Sequence, residues 1–152
     1  MKDSKLEELE SELKFHFSDK SLLKRALTHD SSLNEQKYMG NESNERLEFL
    51  GDAVLDLILC YHGYSSVPGG EKELHDHWEK LANDKSLAEA ADRIQLVKFL
   101  HLSEGEKRKS PIEESIRAGG YEAIVGALFV AAGYETAFEF VKRTLISFGQ
   151  NP

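Results

Sequence analysis

One cysteine and three prolines in 152 residues leave little to staple or break this chain. The single thiol, Cys60, excludes an internal disulfide, and such sparing use fits a reducing compartment, the cytoplasm by default. No uninterrupted apolar run approaches the roughly 20 residues that a membrane-spanning helix requires, so no membrane partner is expected. The opening MKDSKLEELESELK is polar and acidic and lacks the apolar stretch of a secretory signal. Positive charge is scarce too: 19 Lys and Arg face 27 Asp and Glu, a net charge of −8. That balance excludes a strong unaided electrostatic hold on nucleic acid, which needs clustered basic side chains. It does not exclude a nuclease that carries a divalent cation on carboxylates, because the ion supplies the missing positive charge.

What is present is ordinary globular material, 40% hydrophobic and 30% charged, and the length suits one domain over residues 1–152. The periodicity is helical almost everywhere, with no convincing strand or repeat, so an all-α, single-domain helical bundle is expected. Leu6, Leu9 and Leu13 mark a first helix. A second carries Leu22, Leu23, Ala26 and Leu27, with Ser18 or Asp19 as its cap. Residues 30–43 are polar and read as a loop ending at Asn44, a candidate cap for the next helix. That helix, about Glu45 to Tyr61, is apolar on most of its circumference and is expected to be central. Past Pro68-Gly69-Gly70 come two short helices, Glu71 to Ala82 and Lys85 to Ile94. A charged loop (103–111), an apolar helix from about Ile112 to Ala132 and a last helix from about Thr136 to Phe148 complete the chain.

Glu45, Glu48 and Asp52 are spaced three and four apart, which puts them on one helical face, neighbours about 5–6 Å apart. Like charges so placed in an apolar helix cost several kcal/mol unless a basic partner or a divalent cation compensates. Solvent exposure at a helix start would explain Glu45 and Glu48, but not Asp52, which lies deeper and follows Gly51. A mid-helix glycine costs about 1 kcal/mol against alanine, so Gly51 implies close approach of another backbone or a ligand. Glu122 sits among Ile124, Val125, Leu128 and Phe129 in a second apolar helix. An isolated carboxylate there needs a partner; packed against Glu48 and Asp52 it would complete a cage for Mg²⁺, which prefers carboxylate oxygens. Asp56, one turn beyond Asp52, is expected to be solvated or partnered.

The segment NERLEFLGDAVL at Asn44–Leu55 closely resembles the defining motif of ribonuclease III catalytic domains. FSDKSLLKRALTHDSS at Phe17–Ser32, NDKSLAEAA at Asn83–Ala91 and EAIVGALFVAAGYETA at Glu122–Ala137 resemble that family's further blocks, in order. The resemblance implies an all-helical fold that forms a homodimer, with double-stranded RNA lying in a valley between two active sites. It implies hydrolysis by Mg²⁺, with Mn²⁺ able to stand in, leaving 5′-phosphate and 3′-hydroxyl ends. It assigns metal binding to Glu48, Asp52 and Glu122, catalysis to Asp52 and Glu122, and a supporting role to Glu45.

Two departures follow. Family members carry Asp three residues before the last Glu, in a pattern close to A-D-x-x-E-A; here the stretch is Ala118-Gly119-Gly120-Tyr121-Glu122-Ala123. Gly119 therefore lacks a metal-binding carboxylate, and Glu114, eight residues before Glu122 and about 12 Å away along a helix, cannot replace it. The alternatives are a weakened but real nuclease and an inactive RNA-binding or assembly module on the same fold. Second, many members append a double-stranded-RNA-binding domain, whereas this chain stops at Pro152; weak, strongly salt-sensitive RNA binding is expected.

Lys107, Arg108 and Lys109 form the densest basic run and are candidate phosphate contacts, though three loop charges are more often simply solvated. Glu71, Glu73, His75, Asp76 and His77 are ligand types, but His75 and His77 point about 160° apart on a helix, so exposed helix is preferred to zinc. His29 is expected to be scaffold rather than base. Trp78 and the phenylalanines Phe15, Phe17, Phe49, Phe99, Phe129, Phe138 and Phe140 are assigned to core or dimer interface.

Overall fold

The computed structural model describes residues 3–35 and 42–149, and within them the chain is helical with no strand. The elements are α1 (Asp3–Leu13), α2 (Lys20–Ala26), α3 (Asp30–Glu35), α4 (Glu45–Ser66), α5 (Glu71–Leu81) and α6 (Asp84–Arg93). A 3₁₀ turn (Leu96–Lys98), α7 (Glu104–Lys107), α8 (Glu114–Ala132), α9 (Tyr134–Val141), a π segment (Lys142–Ile146) and α10 (Ser147–Gly149) follow. The polar stretch read as a loop thus begins with a short helix, α3; residues 36–41 lie outside the described ones.

The centre of the bundle is α8, not α4. Helix α8 buries Ile116, Tyr121, Ile124, Val125 and Leu128 among others and is packed by α2, α4, α6 and α9. Among the described residues it is the one helix long and apolar enough to cross a membrane by composition, and here that apolar length is core. Helix α4 buries one face, Leu47, Gly51, Val54, Leu55, Ile58, Leu59 and Gly63. Its opposite face leaves Phe49 82% and Tyr64 79% exposed, with Leu57 and Tyr61 also open. The apolar residues around α4 therefore serve two surfaces, only one of which this chain fills.

Two glycines let α4 and α8 touch backbone to backbone. A β-carbon on Gly51 would lie 1.8 Å from the carbonyl oxygen of Glu122, and one on Gly126 would lie 2.2 Å from that of Leu47. Any side chain at either position would push the helices apart, which is why Gly51 stands mid-helix despite its propensity cost. Gly63 on the same helix has no such neighbour, its nearest contact being His77 Cδ2 at 3.4 Å.

Asp19 caps α2 by accepting from the Ser21 amide at 2.9 Å. Asn44 takes the cap position of α4 but makes no capping bond with its side chain. Its buried Nδ2 instead donates to the Ala26 carbonyl at 3.3 Å, joining α4 to the end of α2. The π segment places Thr144 Oγ1 2.7 Å from the buried Tyr121 hydroxyl. Thr144 donates to the Phe140 carbonyl, so Tyr121 is the donor, and Arg93 donates to the Thr144 carbonyl at 3.1 Å. A backbone stitch joins Thr28 and His101: the His29 amide donates to the His101 carbonyl at 3.0 Å and the His101 amide to that of Leu27 at 2.8 Å.

Candidate metal centre

The α4–α8 crossing carries the acidic residues with it. Glu48 and Asp52 flank Gly51 on α4, and Glu122 offers the very carbonyl that Gly51 approaches. Glu122 is half-buried, and burial together with the charges of Asp52, Glu48, Asp84 and Asp56 pushes its carboxyl up to about 8. Glu48 is raised as well, by burial first and then by Glu45, Asp30 and Asp52, against a lowering pull from His29. Asp52 stands at the solvent-open mouth, yet the protein around its inner side and the charge of Asp56 raise it too. Among the described residues no Lys or Arg forms an ion pair with Glu48, Asp52 or Glu122. An all-oxygen, uncompensated anionic set of this kind suits a hard divalent cation.

The three carboxylates remain spread, as like charges are expected to be. Among the described residues the group of three ligand-type side chains drawn within 4.8 Å of one another is His75, Asp76 and Glu79, all exposed on α5. There Asp76 is paired with Lys72 at 2.7 Å. His77 faces elsewhere, its Nε2 3.2 Å from His62 Nδ1 across the α4–α5 contact.

Glu45 is exposed at the start of α4, where Ser43 donates to it at 2.9 Å. Asp56 is partnered, accepting from Trp78 Nε1 at 2.8 Å. Gly119 is buried in α8 directly beneath Glu48. Glu114 is the exposed first residue of α8. Of the basic run, Lys107 is held by Glu104 at 2.7 Å, and Lys109 by Glu106 at 2.9 Å and Glu113 at 2.7 Å. His29 is tied to Ser31 Oγ at 2.8 Å.

Asp84, Asp30 and Asp56 also act on the site, and sequence reasoning had not drawn them in. Asp84 is the first residue of α6, where an acid is unremarkable. Only the packing of α6 on α8 brings it within reach of Glu122.

This arrangement has relatives. The family model described as Ribonuclease-III-like matches residues 19–148. The chain belongs to the ribonuclease III family. A ribonuclease 3 from a Nitratiruptor species is 36% identical over 142 residues, 92% of this chain and 60% of that protein. One from Fusobacterium nucleatum subsp. nucleatum is 40% identical over 135 residues, 88% of this chain and 58% of that one. The chain therefore spans about 60% of the length of these ribonuclease III proteins. A solved nuclease domain of ribonuclease III from Campylobacter jejuni superimposes with a TM-score of 0.82 at 37% identity, covering 93% of this chain and 96% of that one. That structure concerns flexibility in the region involved in the domain's dimer formation. The all-helical architecture of this chain is thus that of a ribonuclease III nuclease domain.

Proposed function

We propose that this chain is a Mg²⁺-dependent endoribonuclease domain that hydrolyses double-stranded RNA, leaving 5′-phosphate and 3′-hydroxyl ends, in cytoplasmic RNA processing. The observation that carries the reading is the glycine crossing that sets the Glu122 backbone on α8 against the α4 segment bearing Glu48 and Asp52, with no basic ion-pair partner for the three among the described residues. Glu48, Asp52 and Glu122 would hold the cation, and Glu45 would support them from the start of α4. When bound, Mg²⁺, or Mn²⁺ in its place, supplies Lewis-acid polarisation and positive charge for the phosphoryl group.

The chain's own residues then do three things. The carboxylates would hold the cation, whose positive charge would favour the scissile phosphate at this site. Asp52, at the open mouth, would orient the attacking water and accept its proton. Glu122 must give up its own proton for the cation, which couples metal binding to pH. Water adds to phosphorus, the P–O3′ bond breaks, and a proton ends on the 3′-oxygen.

The exposed face of α4, with Phe49, Leu57, Tyr61 and Tyr64, supports a homodimer: four large apolar side chains on one helix face are seldom all left in water. With a net charge of −8, RNA affinity is weak and falls steeply with salt. Lys107, Arg108 and Lys109 remain candidate phosphate contacts. For Lys107 and Lys109 this would require exchanging their present carboxylate partners.

Labelled duplex RNA incubated with Mg²⁺ tests the reading. Cleavage that EDTA and Glu122→Ala abolish supports it; cleavage that survives Glu122→Ala refutes the site. Gly119 favours a second reading, an inactive RNA-binding or assembly module. No cleavage by the wild type, with cleavage appearing in Gly119→Asp, would establish that one.

A further inference from the structure

Polar side chains fasten helix α5 to α4 at two points. One is the bond from Trp78 Nε1 to Asp56 at 2.8 Å. The other is a pair of imidazoles: His62 Nδ1 on α4 and His77 Nε2 on α5 stand 3.2 Å apart, their ring planes inclined by 29°. Neither ring has a further hydrogen-bond partner among the described residues. Two nitrogens bound to one tetrahedral ion at Zn–N lengths are about 3.3–3.4 Å apart, so the packing of α4 on α5 already sets the bite of a chelate. Turning each ring by roughly 35° aims both lone pairs at one point without moving a helix. The proton now lying between the rings passes to the outer nitrogen of its own ring, and both imidazoles stay neutral. Both are held below the ordinary imidazole range, His62 by burial, His77 and Lys142, and His77 by burial and Lys80. At neutral pH they are therefore ligands rather than cations. The two lysines are exposed, where water and salt screen their repulsion of an ion.

We infer that His62 and His77 form a two-nitrogen site for a borderline transition ion, Zn²⁺, Cu²⁺ or Ni²⁺, that ties α5 to α4. The site is separate from the acidic centre and its preference is the opposite one: imidazole suits these ions, whereas carboxylate oxygen suits Mg²⁺ and Mn²⁺. No third protein ligand joins the pair among the described residues, so water completes the shell and the ion is exchangeable. Half the binding free energy of a four-ligand zinc site corresponds to a dissociation constant on the order of 10 µM. His75, Asp76 and Glu79 on the outer face of α5 provide the control, since Lys72 already holds Asp76.

Zn²⁺ binding by titration calorimetry and Cu²⁺ binding by electron paramagnetic resonance, both in excess Mg²⁺, read the site without catalysis. A Cys60→Ser parent is used, because the exposed thiol would reduce Cu²⁺. It is compared with His62→Gln, His77→Gln and His75→Gln in the same background, near-UV circular dichroism confirming that each is folded. The parent takes up Zn²⁺ with the affinity given above and Cu²⁺ more tightly, and its copper spectrum carries the superhyperfine splitting of two nitrogens. Zn²⁺ at about one hundred times its dissociation constant raises Tm by roughly 5–10 °C. Loss of either His62 or His77 weakens Zn²⁺ binding at least about fiftyfold, the share of one ligand in a four-ligand site, and abolishes the two-nitrogen spectrum. His75→Gln leaves both unchanged. A parent spectrum with fewer than two nitrogens overturns the inference, and it does so whether or not any variant folds. Zn²⁺ affinity retained by His62→Gln or His77→Gln overturns it too, as does an equal loss in His75→Gln.

Discussion

Replacing Gly51 by alanine puts a β-carbon where the backbone of α8 already stands. The new atom would lie 1.8 Å from the Glu122 carbonyl oxygen, 2.6 Å from its carbon and 2.9 Å from the Gly126 amide nitrogen. Non-bonded atoms rest at roughly 3.5 Å, so the helices must part by about 1.7 Å at the crossing. No rotamer relieves this, because every obstructing atom is main chain. Overpacking costs about 1–3 kcal/mol, and with backbone in the way the upper end applies. Helix propensity returns about 1 kcal/mol, leaving a net loss of about 2 kcal/mol. For a chain of this size that lowers Tm by roughly 4–8 °C. Gly63→Ala is the internal control. Its β-carbon meets His77 at an ordinary 3.4 Å, so only the propensity gain remains and Tm rises by about 2–4 °C. Thermal melts of both variants, followed by circular dichroism in EDTA, decide the matter. A Gly51→Ala variant as stable as wild type, or indistinguishable from Gly63→Ala, would refute the close crossing and with it the geometry that gathers the carboxylates.

Glu122 gives a pH signature. Its carboxyl lies at about 8 in the folded protein against 4.5 when free, so the native state keeps a proton that the unfolded chain releases. Metal-free stability therefore falls as pH rises from about 4.5 to about 8 and then levels, an effect of a few kcal/mol at most. Glu122→Gln should be the more stable protein at pH 8 in EDTA and nearly equal to wild type at pH 4; coincident Tm–pH curves would contradict this. Phe49→Asp should convert a dimer to a monomer in sedimentation velocity with unchanged helicity, and a variant that still sediments as a dimer would remove α4's outer face from the interface. Trp78→Phe deletes the bond to Asp56 and should cost about 1–2 kcal/mol by urea denaturation, an unchanged midpoint counting against that contact.

Much of the fold was legible because its signals are local. Leu6, Leu9 and Leu13 repeat on one stripe and all are buried. Asp19 and the Asn83-Asp84 joint announce helix starts through their own side chains. The rank of the two apolar helices was not legible, since periodicity counts apolar residues but does not say which surface receives them. Phe49 and Leu57 look like core on a helical wheel and lie in solvent. Asn44 has the chemistry of a cap, yet its amide is spent on Ala26, 18 residues earlier, a contact no local rule contains. At the site, the i, i+4 spacing of Glu48 and Asp52 was readable, and Gly51 signalled a close neighbour. That the neighbour is Glu122's own peptide, and that Gly119 lies under Glu48, depends on how two helices cross.

The stitch between Thr28 and His101 has a consequence for electrostatics at a distance. It pins the segment bearing His29 and Asp30, whose opposing fields bear on Glu48. The far side of the stitch leads straight into the 103–111 loop, where the Ser103 amide donates to Ser31 Oγ at 3.1 Å. A change in the length of that connection, which contains α7, would pull on the His29–Asp30 segment through this bond and the stitch. Variation in an outlying connection thus reaches, through main chain, the neighbours whose charges bear on Glu48.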